Sequence, residues 1–84
     1  MSENGGTGLR AEELIVEVYR QKTALEKAGT IPRFVDMTLG QYRTIQEYRA
    51  RLGELPEGFA DYLERYELFG LEVCIEDVAL PRVR

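Results

Sequence analysis

The sequence predicts a small α/β (α+β) domain with the order helix, strand, helix, helix, strand, in which three helices cover a two-stranded sheet. Apolar residues recur at spacings of three and four in three segments, which is the pattern of amphipathic helices. Two shorter apolar runs, at 33–37 and 71–76, have the length of strands and lie near proline or glycine. We expect one compact domain over 9–80, because a chain of 84 residues buries only one small core. Residues 1–8 are expected to be a disordered tail, and residues 81–84 a C-terminal tail.

The first helix is predicted over residues 9–28. Leu14, Val18 and Leu25 belong to its apolar stripe, and Gly29 suits the left-handed residue that ends a helix. The stripe also fits a heptad pattern of moderate quality. It therefore either covers the small sheet or packs against its counterpart in a dimer.

The first strand is predicted over residues 33–37. Pro32 excludes a helix interior at this point and favours extended geometry in the residue before it. Asp36 is the one polar residue that interrupts the apolar set Phe34, Val35 and Met37. This pattern indicates partial burial on both faces of the strand.

The second helix is predicted to begin after Thr38. The Thr38 side chain can accept from the backbone amide of Gln41, and the Gln41 side chain can reach back, which is a capping box. Gly53 suits the exit of this helix. One broad face carries Leu39, Tyr42, Ile45, Tyr48, Arg49 and Leu52.

A third helix is predicted after Pro56, since proline suits the first helical position. Its apolar residues repeat at three and four: Phe59, Tyr62, Leu63 and Tyr66. Residues 67–70 are then expected to lead into the last strand, which ends near Asp77.

The last strand is predicted to have two unlike faces. Leu71, Val73 and Ile75 would face the helices, which leaves the alternate residues turned outward: Glu72, Cys74 and Glu76. Two helices separate the strands, so parallel and antiparallel pairing both stay open. Both strands of such a sheet are edges. The acidic row either protects the edge from aggregation or marks where a second copy or another protein pairs.

The net charge of −4 is unevenly distributed. Residues 30–52 carry four arginines against two carboxylates, whereas residues 53–77 carry eight carboxylates against one arginine. An acidic chain argues against general nucleic-acid binding, which depends on cations that contact phosphates. The two segments can instead pair within one chain or between two copies.

The composition also argues against catalysis. The chain has no histidine and a single cysteine, Cys74, so it lacks the usual base for a cysteine nucleophile and the usual ligands of zinc. We expect no enzyme activity, no cofactor and no metal site. The chain contains no apolar run of about 20 residues and does not start with a signal-peptide pattern, so we expect a cytoplasmic protein.

A partner is expected to dock either through the first helix, 9–28, or through the edge of the strand at 71–76. Tyrosines are favoured anchors in interfaces, so those that are exposed among Tyr42, Tyr48, Tyr62 and Tyr66 are the expected anchors. The candidate interaction residues are Leu14, Val18, Leu25, Tyr42, Tyr48, Arg43, Arg49, Glu72 and Glu76.

Two runs carry a resemblance to a known group of proteins. The run M-T-L-G-Q-Y (Met37 to Tyr42) and the later run F-G-L-E-V-C-I (Phe69 to Ile75) resemble strand–cap–helix and Phe-Gly-strand segments of phage and prophage structural proteins, capsid-related ones in particular. The resemblance implies a small virion-assembly or accessory protein, and it supplies no catalytic residues.

Taken together, the residues predict a non-enzymatic protein-interaction or assembly module that binds itself, as a homodimer, or another protein. The alternative is a nucleic-acid-associated accessory protein that uses the arginines of residues 33–51. Steep weakening of DNA or RNA binding with salt would support this alternative.

Overall fold

The computed structural model describes residues 10–54 and 65–84, which form two helices and a four-stranded mixed sheet. In chain order the elements are α1 (Ala11–Lys27), β1 (Phe34–Met37), α2 (Leu39–Arg51), β2 (Glu67–Leu68), β3 (Leu71–Ile75) and β4 (Arg82–Val83). The strand order is β2-β3-β1-β4. β1 and β3 are parallel, while β2 and β4 pair antiparallel with β3 and β1 respectively.

The prediction of a two-stranded sheet covered by three helices is wrong. Residues 81–84, predicted as a tail, contain β4, and the predicted connection 67–70 contains β2. β3 is therefore an internal strand, with β1 on one side and the short β2 on the other. Because β2 pairs with the first part of β3, a partner strand could not pair along the whole of this edge. The third helix predicted after Pro56 falls largely on 55–64, outside the described residues, as does the predicted tail 1–8.

The two remaining helices and the two longer strands confirm the sequence patterns. Gly29 follows α1 with φ +87°, and Gly53 follows α2 with φ +75°. The capping box at the start of α2 is formed: Gln41 N–H donates to Thr38 Oγ1 at 3.0 Å, and Thr38 N–H donates to Gln41 Oε1 at 2.9 Å. Local capping chemistry thus sets both bounds of α2.

Both helices pack on the same face of the sheet. Tyr42 and Ile45 of α2 meet Leu14 and Val18 of α1 in one apolar cluster above the strands. β3 follows the predicted alternation at Leu71 and Val73, which are buried, whereas Ile75 at the strand end is 44% exposed. The sheet contributes to this core Val35, Met37, Leu68, Leu71, Val73 and Val83.

A two-residue turn, Phe69-Gly70, joins β2 to β3. Both residues have positive φ, +53° and +80°, as a type I′ hairpin turn requires. A phenylalanine is strained in this conformation, but its ring lies 4.7 Å from that of Tyr19 and under the Arg49 guanidinium at 4.9 Å. These contacts favour the left-handed turn despite the strain.

The Gln21 side chain of α1 caps the free edge of β4. Arg84 exchanges both backbone hydrogen bonds with Phe34 of β1, at 2.7 and 2.8 Å. Backbone groups alternate in direction along a strand, so those of Pro81 and Val83 point away from β1. Gln21 Nε2 donates to the Pro81 carbonyl oxygen and Gln21 Oε1 accepts from Val83 N–H, both at 2.8 Å. One amide therefore takes the place of a further strand.

We expect Gln21→Met, which keeps the length of the side chain, to lower the free energy of unfolding by about 1–3 kcal/mol, because two backbone groups lose their partner. Urea denaturation measures this difference. The control is Thr23→Met at an exposed position of the same helix. If both variants were as stable as the wild type, the amide would not be needed to hold β4.

Gln46 of α2 is the second buried amide, and its hydrogen bonding is incomplete. The residue is fully buried; its Oε1 accepts from Arg49 Nη1 at 3.2 Å, but its Nε2 has no partner among the described residues. Arg49 also contacts Glu54 Oε1 at 3.4 Å and the ring of Phe69. Arg49 thus retains partners if the Gln46 oxygen is removed.

We expect Gln46→Met to raise the free energy of unfolding by about 1 kcal/mol, because it removes a buried donor without a partner. Gln46→Ala leaves a cavity and is expected to be less stable than the wild type. Urea denaturation of the three proteins checks this order. A Gln46→Met protein less stable than the wild type would show that the amide contributes more than its unpaired donor costs.

Candidate functional site

The outer face of the sheet, the face turned away from α1 and α2, is not covered by any described helix. Along each strand, the residues of this face alternate with the apolar residues that point into the core. Here the name outer face means these seven residues: Phe34, Asp36, Glu67, Glu72, Cys74, Arg82 and Arg84. Its centre is half-buried Phe34 and Cys74, and its rims are charged.

Asp36 is the buried centre of an ion cluster on this face. Its side chain is 1% exposed, although it lies on the face without helices. Arg82, its cross-strand neighbour on β4, donates from Nε and Nη2 to Oδ2 at 3.0 and 2.8 Å. Arg84 donates from Nη2 to Oδ1 at 3.0 Å and from Nε to Oδ2 at 3.0 Å. The two guanidinium groups themselves cover the carboxylate.

Arg84 reaches across three strands. From β4 its guanidinium binds Asp36 on β1, lies 5.0 Å from the centre of the Phe34 ring, and places Nη2 at 3.7 Å from Cys74 Sγ on β3. A planar guanidinium can combine these stacked and in-plane contacts, which a lysine ammonium cannot. Arg84 therefore orders the centre of the outer face.

Hydrogen bonds from Arg84 are the main reason why the pKa of Asp36 lies below its ordinary value; burial opposes this shift and Arg82 adds to it. The same contact raises the pKa of Arg84. The carboxylate is therefore ionised at neutral pH, with two cations against one anion in the cluster.

The opposite rim of the outer face is acidic. Glu67 on β2 and Glu72 on β3 are directly paired and exposed, and exposed Glu76 follows β3. An open depression of about 660 Å³ adjoins this rim at the ends of the strands where Phe34 and Glu72 lie, and Arg33 and Arg65 line it together with Glu67 and Glu72. The outer face thus changes from negative on the β2 side to positive on the β4 side.

The candidate residues of α1 lie mainly in the protein's own core. Leu14 and Val18 are 2% and 0% exposed, and Leu25 is partly buried against the same cluster. Of the two roles that the stripe left open, the structure shows the covering of the sheet. Leu14 and Val18 are therefore not available to a partner.

The candidate residues of α2 are dispersed. Tyr42 is fully buried and stacks on Tyr66 at 5.3 Å. Tyr48 is half-buried and donates to Glu12 Oε2 at 3.3 Å; desolvation, together with this carboxylate, raises the pKa of its phenol. Arg43 is exposed, whereas Arg49 is engaged with Gln46, Glu54 and Phe69.

Two candidate residues are exposed at the outer face: Glu72 belongs to it, and Glu76 follows β3. Sequence reasoning missed the role of Asp36 and the residues of β4. The signal was present in R-V-R at 82–84, where charged residues alternate with an apolar one as in a half-buried strand.

The described residues contain no group of three or more acidic, cysteine or histidine side chains arranged to hold a metal ion. The carboxylate of Asp36 is bound by two arginines. Within the described part of the chain, no helix is both long and apolar enough to cross a membrane.

Comparison with protein-family models finds no matching family, and searches of curated proteins and of solved structures find no match either. The resemblance to phage structural segments accordingly stays a prediction.

We expect Asp36→Asn to lower the free energy of unfolding by about 2–4 kcal/mol near neutral pH, because a neutral amide loses the charged hydrogen bonds and adds a buried donor. The folded pKa of Asp36 is lowered, so its stabilisation is complete above the unfolded pKa of about 3.9 and is lost as the pH falls through the folded value. The difference in free energy of unfolding between the wild type and Asp36→Asn should therefore become smaller in acid.

Urea denaturation near neutral pH and below about pH 4 measures this difference. Asp77→Asn, at an exposed position, is the control for loss of one carboxylate. A stability difference between wild type and Asp36→Asn that stays constant in acid would contradict the assigned role of the ion cluster.

Proposed function

We propose that this protein is a small non-enzymatic protein-interaction or assembly module, and that it docks through the outer face of the sheet. The single observation that carries this proposal is a face that no helix of residues 10–54 and 65–84 covers, with acidic and basic rims on either side of a half-buried centre. An assembly role agrees with what the resemblance to phage structural segments implies.

The order of the side chains on the outer face supports docking. Exposed arginines normally lose conformational freedom when they bind, which weakens association. Here Asp36 already fixes Arg82 and Arg84, and the Phe34 ring supports Arg84. A partner thus meets side chains that are largely in place.

The charge layout also favours a protein over a nucleic acid as the partner. Three exposed carboxylates, Glu67, Glu72 and Glu76, lie along one side of the face and repel a phosphate backbone. Of the arginines in residues 33–51, Arg49 is already paired with Glu54. The nucleic-acid alternative has no specific observation in its favour.

The experiment compares three baits. One is the wild type, one is Glu67→Lys/Glu72→Lys on the outer face, and the control is Glu26→Lys/Glu47→Lys on the exposed sides of α1 and α2. Both double variants make the same change in net charge. Circular dichroism first verifies that all three are folded.

Proteins from the source cells that bind the wild type are purified, whether or not they bind the variants, and each is titrated against all three baits. We expect the outer-face variant to bind at least about tenfold more weakly, since two attractive contacts become repulsive. Equal affinity of all three baits for every purified partner would refute the proposed docking face.

A further inference from the structure

We propose that the occupant of the outer face is a second copy of this chain, related by a two-fold axis that runs parallel to the strands. This inference rests on the proposed function and names its partner. It follows from the order in which the four strands place their charges.

The sheet order separates the two signs of charge. In the order β2-β3-β1-β4, Glu67 and Glu72 lie on the first two strands. Arg82 lies on the last strand, and Arg84 directly follows it and pairs with Phe34. The cluster of Asp36 with the two arginines has one excess positive charge. The face is therefore negative at one lateral rim and positive at the other.

A two-fold axis between two facing sheets and parallel to the strands exchanges left and right. It places β4 of one copy over β2 of the other, so each basic rim meets an acidic rim. An axis across the strands would place like charges over each other. Isologous contacts of this kind close as dimers, and the complementary rims specify one orientation.

The arginines retain donors for this contact. A guanidinium has five N–H donors, and Arg82 and Arg84 each bind Asp36 through Nε and Nη2 only. The side chains of Arg82 and Arg84 are 65% and 51% exposed. Their Nη1 groups can therefore bind carboxylates of the second copy while Asp36 stays covered.

The size of the face requires that the dimer be weak. Four strands of two to five residues, about 4.8 Å apart, present roughly 200 Å², well below the ~800 Å² per partner of a stable complex. The half-buried centre, Phe34 and Cys74, adds a small apolar contact. We expect a dissociation constant on the order of 0.1–1 mM that rises with salt, because the rims are exposed to solvent.

Sedimentation equilibrium over a concentration series, from well below to above this range, tests the proposal on the full chain. The wild type should shift from monomer to dimer at low salt and less so at high salt. Glu67→Lys/Glu72→Lys should stay monomeric, whereas Glu26→Lys/Glu47→Lys, with the same net charge, should dimerise. A wild type that stays monomeric throughout, or an outer-face variant that dimerises equally well, would overturn it.

Cys74 locates the contact, because it is the one cysteine of the chain. Sheets that pack face to face lie about 10 Å apart, so the proposed axis places the two Cys74 residues within reach of a short bifunctional maleimide but too far apart for a disulfide. A monofunctional maleimide measures the reactivity of the thiol by itself. A dimer with reactive Cys74 that does not cross-link would show that a different face is used.

The outcome also separates this inference from the proposed function. If the wild type is monomeric but the outer-face variant still loses a purified heterologous partner, the docking face stands and the second copy is not its occupant. If the outer-face variant loses neither dimerisation nor a partner, both proposals fail.

Discussion

The ion cluster of Asp36 with Arg82 and Arg84 decides whether the last residues of this chain form a strand or a tail. β4 has two residues in the sheet, and its backbone hydrogen bonds contribute about 1 kcal/mol each, which is comparable to the entropy lost on ordering each residue. Side-chain contacts must supply the surplus. Conversely, a buried carboxylate without partners costs several kcal/mol, so Asp36 is tolerated on β1 only because β4 brings both guanidinium groups to it.

Three elements bind the segment from Ala79 to Arg84, and each does so through the hydrogen bonds of one polar side chain. Asp36 on β1 holds the two arginines, Gln21 on α1 binds Pro81 and Val83, and Gln41 on α2 donates to the carbonyl oxygen of Ala79 at 3.0 Å. Gln41 also closes the capping box of α2. The start of α2 and the path of the last segment are therefore linked through one amide, so the sheet and both helices are expected to unfold together.

Local patterns predicted the elements that local chemistry determines. The stripe of α1, the Thr38 capping box and the alternation of Leu71 and Val73 are all visible in short windows, because they depend on residues within one or two turns. The short strands are not visible in this way. The hairpin has phenylalanine at a position that usually carries asparagine or glycine, and its stability depends on Tyr19 and Arg49, which are distant in the chain. β4 depends likewise on Asp36 and Gln21, which are also distant in the chain. The local sequence shows only Pro81 and the short run R-V-R, and these predicted a tail.

The dependence of the short strands β2 and β4 on distant residues also determines where the candidate site lies. A two-stranded sheet would have offered its backbone edge to a partner, but β2 pairs with the first part of β3 and Gln21 caps β4. The proposed interaction surface therefore consists of side chains rather than backbone groups. Its charges are divided because the arginines that complete the sheet come from its last strand, while the opposite rim consists of the outward glutamates of the hairpin. The division of charge across this face follows from the order of the strands, so the proposed pairing of two copies requires no residue devoted to that purpose.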